Sequence, residues 1–83
     1  MNVEELRQRY DAGERNFSIA DLSNAVLEDI NLSGIIFHGA IADLHAANLH
    51  QAALERANLS GANLEKANLE GTILEGGDSS LAT

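Results

Sequence analysis

The chain has no cysteine and no proline, so no disulfide staples it and no fixed-φ ring interrupts a hydrogen-bonded ladder. Without cysteine, any redox compartment is allowed and none is required. Basic residues are scarce: Arg7, Arg9, Arg15, Arg56 and Lys66 face thirteen acids, giving a net charge of −8. Such a surface is a poor match for phosphate backbones, which excludes direct nucleic-acid binding as the expectation. No apolar stretch approaches the length of a membrane span, and the first residues carry Glu4 and Glu5 where a signal peptide needs basic residues. A cytoplasmic location is the default expectation. Catalytic constellations are missing too: there is no thiol nucleophile, no glycine-rich phosphate loop followed by lysine, and no Ser-His-Asp arrangement. The expectation is a protein that is not an enzyme and holds no cofactor.

What the chain does have is a period of five. From Ala57 it reads AlaAsnLeuSerGly, AlaAsnLeuGluLys, AlaAsnLeuGluGly. On an α-helix a five-residue step turns the leucines by roughly 140° each time, so they line no face. In a flat strand an odd period sends alternate leucines to opposite sides. Residues 52–70 are rich in good helix formers, yet the period outranks propensity. The geometry that fits is a chain that turns a corner every five residues. Alanine and leucine, two apart, then point inward, and the residues between and after them face out or form the corner. Four sides close a coil of about twenty residues, and coils stack at about 4.8 Å through backbone hydrogen bonds.

The repeats Ala20-Asp21-Leu22, Ala42-Asp43-Leu44, Ala47-Asn48-Leu49, Ala57-Asn58-Leu59, Ala62-Asn63-Leu64 and Ala67-Asn68-Leu69 resemble the pentapeptide-repeat family. The opening segment 6–18 is similar to the starts of small Nostoc-type cyanobacterial members. The resemblance implies an all-β fold, a right-handed quadrilateral β-helix, here of about three coils with a short N-terminal α-helical cap.

Phe17, Leu22, Leu27, Leu32 and Phe37 keep one count of five, and Leu44 through Leu74 keep another. Phe37 to Leu44 is seven residues, so two extra residues lie within 38–43. Coils are expected at 17–36, 37–58 and 59–78, inside a single domain 1–83 with a polar tail at 79–83. The inward columns would be Phe17/Phe37/Leu59, Leu22/Leu44/Leu64, Leu27/Leu49/Leu69 and Leu32/Leu54/Leu74. Ile30 and Ile35 depart from the small-residue rule of the second inward set, and Thr72 is a polar substitute. The insertion is either a bulged corner without further consequence or the site of an exposed apolar patch of Ile35, Ile36 and Ile41 that contacts a partner. It also fits a chain shortened, naturally or by engineering, from a longer repeat protein.

Residues 2–13 read as the capping helix. Asn2 is the N-cap, Glu5 completes a capping box, and Gly13 suits a left-handed exit. Val3, Leu6 and Tyr10 share one face, so Tyr10 belongs to a lid over the first coil. The other end reads as less protected: either Leu81 folds across the mouth, or two molecules meet end to end. A homodimer about a two-fold axis through the C-terminal coil is the expectation, because it would bury the last ladder bonds.

Glu55, Glu65, Glu70 and Glu75 each follow a central leucine and form a candidate acidic surface, with Glu55 stacked over Glu75. His38, His45 and His50 also point outward, but from diverging sides, so no metal site is expected. The functional expectation is a non-enzymatic structural or protein-interaction module with an unidentified protein partner. The alternative, implied by the resemblance, is an acidic DNA mimic that binds a type II topoisomerase such as gyrase.

Overall fold

The computed structural model describes residues 1–38 and 42–80. It opens with a helix, α1, over Val3–Asp11, and continues as a coil of short steps. The Asn2 side chain accepts the N–H of Glu5 at 2.8 Å, which satisfies one of the free donors of the first turn. At the other end Gly13, at φ 101°, lets the Glu14 N–H reach back to Arg9 O (3.0 Å) and closes the helix. Glu4 and Glu5 sit in the first turn and Arg9 in the last, so the charges match the helix dipole.

Beyond the helix, one residue in five pairs with the coil above or below. The pairs are parallel and isolated: Asn16 with Ile36, Asp21 with Asp43, Val26 with Asn48, Asn31 with Ala53. Four such steps therefore make one coil. The partner is 20 residues away for Asn16–Ile36, 22 for pairs that span 37–42, and 20 again from Asp43–Asn63 onward. The shift of two places the extra residues between Ile36 and Asp43. Gly39, Ala40 and Ile41 lie outside the described residues. Paired positions are single residues separated by corners, so the architecture is a β-helix type of solenoid without long strands among the described residues.

Apart from the turn after Phe37, which runs through residues outside those described, the corners from Phe17 to Gly77 are closed by the N–H of the second inward residue donating to the C=O of the central residue three earlier, as in Ala47 to Leu44 (3.0 Å) and Ala57 to Leu54 (3.0 Å). The residue before that donor adopts a left-handed backbone: Gly34, Gly61, Gly71 and Gly76 at φ 72–74°, but also Asn24, Asp29, Ala46, Gln51, Arg56 and Lys66 at φ 58–63°. Ile19 holds the same place in the first corner and is not left-handed, because a β-branched side chain resists positive φ.

The core runs down the tube. Phe17, Leu22, Leu27, Leu32, Phe37, Leu44, Leu49, Leu54 and Leu59 are buried, together with Ala20, Ala42, Ala47, Ala52, Ala57 and Ala62. Central N–H groups bond one coil on, for example Leu27 to Asn48 O (2.7 Å) and Leu49 to Asn68 O (2.8 Å), so the columns stand in the register the spacing predicts. Ile30 and Ile35 fill inward slots of the first coil and belong to the same buried cluster as Leu6 of α1. Thr72, the polar substitute, donates its hydroxyl to Leu49 O at 2.6 Å, which satisfies it. Tyr10 spans the lid and the coil, its hydroxyl donating to Ser33 O at 2.7 Å.

Candidate functional site

With leucine and alanine turned inward, chemistry is confined to the two corner residues and the paired residue of each step. Most paired residues are Asn or Asp, and their carboxamide or carboxylate oxygen accepts the N–H two residues on: Asn16 from Ser18, Asn48 from His50, Asn58 from Ser60, Asn63 from Glu65 and Asn68 from Glu70, at 3.0–3.1 Å. These bonds hold the corner residues in four outward columns. The first carries Ser18, His38, Ser60 and Ser80; the second Ser23, His45 and Glu65; the third Glu28, His50 and Glu70; the fourth Ser33, Glu55 and Glu75.

The acidic residues expected from the sequence are outward, with Glu55 half-buried and Glu65, Glu70 and Glu75 exposed. They do not make one stripe. They occupy three different corners, and on the last coil Glu65, Glu70 and Glu75 form a ring. Glu55 and Glu75 share a column, where the Arg56 N–H donates to Glu75 O at 2.9 Å.

The apolar patch is corrected. Ile35 is 0% exposed, because it holds an inward slot two residues before Phe37 and belongs to the core. Ile36, next in the chain, is the paired residue between Asn16 and Asn58 and is half-buried. Ile41 lies outside the described residues.

The histidines sit on three different corners, and two of them face carboxylates in their own columns. His50 lies between Glu28 (Nδ1–Oε2 3.1 Å) and Glu70 (Nε2–Oε1 3.4 Å), and His45 faces Glu65 at 3.8 Å. His38 Nδ1 meets the Ser60 hydroxyl at 2.7 Å. Sequence reasoning missed the Glu28–His50–Glu70 column, although offsets of 22 and then 20 residues point to it. Among the described residues no group of three His, Asp or Glu side chains is arranged to hold a metal ion.

Two carboxyl groups are tuned by their corners. The Ser23 hydroxyl (2.7 Å) and N–H (3.1 Å) both donate to Asp21 and hold its carboxyl below the ordinary aspartate range. Ser80 does the same for Asp78, at 2.7 and 3.0 Å. Near the lid, the Arg9 guanidinium bonds to Glu14, which raises its already high pKa, and it lies over the Phe17 ring. Arg15 stacks 3.7 Å from the centre of the Tyr10 ring. A depression of about 370 Å³ beside the helix is lined by Arg7, Asp11, Glu28, Asp29, Ile30 and Asn31. It brings together charges of both signs and no nucleophile with a base. No helix is long and apolar enough to cross a membrane among the described residues.

The family model for pentapeptide repeats matches residues 16–41 and 42–77, in eight copies. Among solved structures, HetL from Nostoc sp. strain PCC 7120, described as a pentapeptide-repeat protein involved in heterocyst differentiation regulation, is 33% identical with a TM-score of 0.52. That alignment covers 89% of this chain and 35% of HetL. The pentapeptide-repeat protein alr5209 from Nostoc PCC 7120 is 31% identical over 88% of this chain and 75% of its own, with a TM-score of 0.49. Rfr23 from Cyanothece 51142 is 42% identical over 82% of this chain and 42% of its own, with a TM-score of 0.47. No curated protein sequence matches.

Proposed function

Because this chain belongs to the pentapeptide-repeat family, we propose that it is a non-enzymatic protein-interaction module, a small right-handed quadrilateral β-helix of about three coils acting in the cytoplasm. One observation carries this reading: the described interior is packed with Leu, Phe, Ile and Ala, and apart from Thr72 the polar side chains of the described repeats are turned outward in columns. A tube filled by its own side chains has no room for substrate, whereas rigid outward columns suit recognition of another surface. The regulatory description of HetL is compatible with a role in binding. The test is cross-linking of the intact chain in an extract of its source cell, with excess unlabelled chain as competitor. A protein captured saturably and displaced by the competitor supports the module; capture that the competitor leaves unchanged contradicts it.

The second reading, an acidic DNA mimic acting on a type II topoisomerase, draws on the net charge of −8 and the Glu55/Glu75 column. Against it, the acids are spread over three corners, and Glu70 and Glu28 are occupied by His50. The described chain also extends only 28 × 24 × 22 Å. A gyrase supercoiling assay with the protein in large excess is expected to show no inhibition, and inhibition would revive the mimic.

A further inference from the structure

Each outward column takes one side chain from each coil, so a corner residue meets its counterparts in the coils before and after. In the third column these are Glu28, His50 and Glu70, and the imidazole stands between two carboxylates. Its Nδ1 lies 3.1 Å from Glu28 Oε2, and its Nε2 lies 3.4 Å from Glu70 Oε1. Proton stoichiometry decides what this arrangement requires. A neutral imidazole has one N–H and one lone pair, so one of the two carboxylates would face a lone pair. An imidazolium has two N–H groups, one for each carboxylate, and links all three coils.

Among the described residues the other columns lack this arrangement. His38 meets the Ser60 hydroxyl, and His45 faces Glu65 alone, at 3.8 Å. The fourth column, with Glu55 and Glu75, holds no histidine. The third corner is also the one that lacks a brace in the first coil. Asn48 and Asn68 accept the N–H groups of His50 and Glu70, but Val26 stands at the matching place before Glu28. Other charges stand around the column. Asp29 follows Glu28 in the chain, and Arg7 and Asp11 of α1 line the depression that Glu28 and Asp29 share. Glu65 and Lys66 hold the neighbouring corner of the last coil. Of these side-chain types, only histidine changes charge between about pH 5 and 8.

We propose that Glu28, His50 and Glu70 form a proton-operated tie that fastens the third corner across three coils. With the ring charged, both bonds close, and the column is left with a single excess negative charge. With the ring neutral, one bond is lost, both carboxylates stand uncompensated, and the corner loosens. The tie contributes while the imidazolium is present and is lost as pH rises through the range in which histidine titrates. The backbone bonds it brackets report its state: Asp29 N–H to His50 O and Gln51 N–H to Glu70 O, both at 2.9 Å. This inference is independent of the interaction-module reading.

The test follows amide exchange of Asp29 and Gln51 by NMR in the intact chain and in His50→Gln, at about pH 5.5 and about pH 8. Comparing the two proteins at one pH cancels the intrinsic pH dependence of exchange. At the lower pH the native chain is expected to exchange about threefold more slowly than His50→Gln, the size of partly exposed ion pairs. At the higher pH the ratio should fall to about one. Glu70→Gln keeps the ring and removes one charge, and it should lower the acid-side protection of Gln51. His45→Gln, whose ring faces one distant carboxylate, should leave both amides unchanged at either pH. A ratio that is the same at both pH values, no effect of Glu70→Gln, or an equal response to His45→Gln would overturn the tie.

Discussion

Where the residue before a central leucine is Asn or Asp, it carries both a backbone pairing and a side-chain bond. Asn48 pairs with Val26 and Asn68 while its side chain accepts the His50 N–H at 3.0 Å. Ala53 occupies the equivalent place on the next side without an acceptor. Replacing Asn48 by Ala should cost about 1 kcal/mol, the net value of one such bond. Ala53→Asn should stabilise by about 0.5 kcal/mol by receiving the Glu55 N–H. Urea unfolding of the two variants is expected to give opposite signs; the same sign would show that the side-chain bond is not what matters at this position. Asp21 offers a second check. Its carboxyl is depressed in the folded state, so its contribution is complete above the ordinary aspartate pKa and lost as pH falls through the lower folded value. Ser23→Ala should move its NMR titration midpoint up toward the ordinary value, and an unmoved midpoint would contradict the assigned cause.

The capping helix is a single element whose value lies in what it covers. Leu6 is its one fully buried side chain, and Val3 and Tyr10 pack against the same cluster. Leu6→Ala is expected to destabilise by about 2–5 kcal/mol through lost burial and a cavity, and Asn2→Ala by about 1 kcal/mol through a lost cap. Thermal or urea denaturation would check both, and a Leu6→Ala cost below that of Asn2→Ala would mean the helix is not a lid. This element was readable because Asn2, Glu5 and Gly13 are local signals and Val3, Leu6 and Tyr10 share a helical face. The leucine columns were readable for a different reason: a step of five excludes both regular structures, and the Phe37–Leu44 spacing locates the extra residues. Ile35 stands in two sequence readings at once, in the inward set two back from Phe37 and in the patch beside the insertion, and burial keeps only the first. The Glu28–His50–Glu70 column went unread because the changed register was followed along the inward residues only. Nothing in the sequence pattern warned that Ile19 would break the left-handed habit of the corners, apart from its β-branch.

For the molecule as a whole, the two ends differ in protection, and stability should follow. Leu49 lies within its column between Leu27 and Leu69, while Leu74 ends its column with 37% of its surface exposed. Leu49→Ala is expected to cost about 2–5 kcal/mol and Leu74→Ala distinctly less, about 1 kcal/mol, in urea unfolding. Equal costs would mean that the C-terminal face is covered in solution. Partner identity was not legible, because five-residue spacing encodes the shape of the tube and leaves its corners free.

All of this depends on side chains twenty or twenty-two residues apart touching inside the tube. Methyl NOE spectroscopy with leucine-specific labelling measures that contact directly. Cross-peaks joining Leu27 to Leu49 and Leu49 to Leu69 are the expected result. Contacts confined to neighbours three and four residues apart through 52–70, the mark of a helix, would contradict the stacked coil.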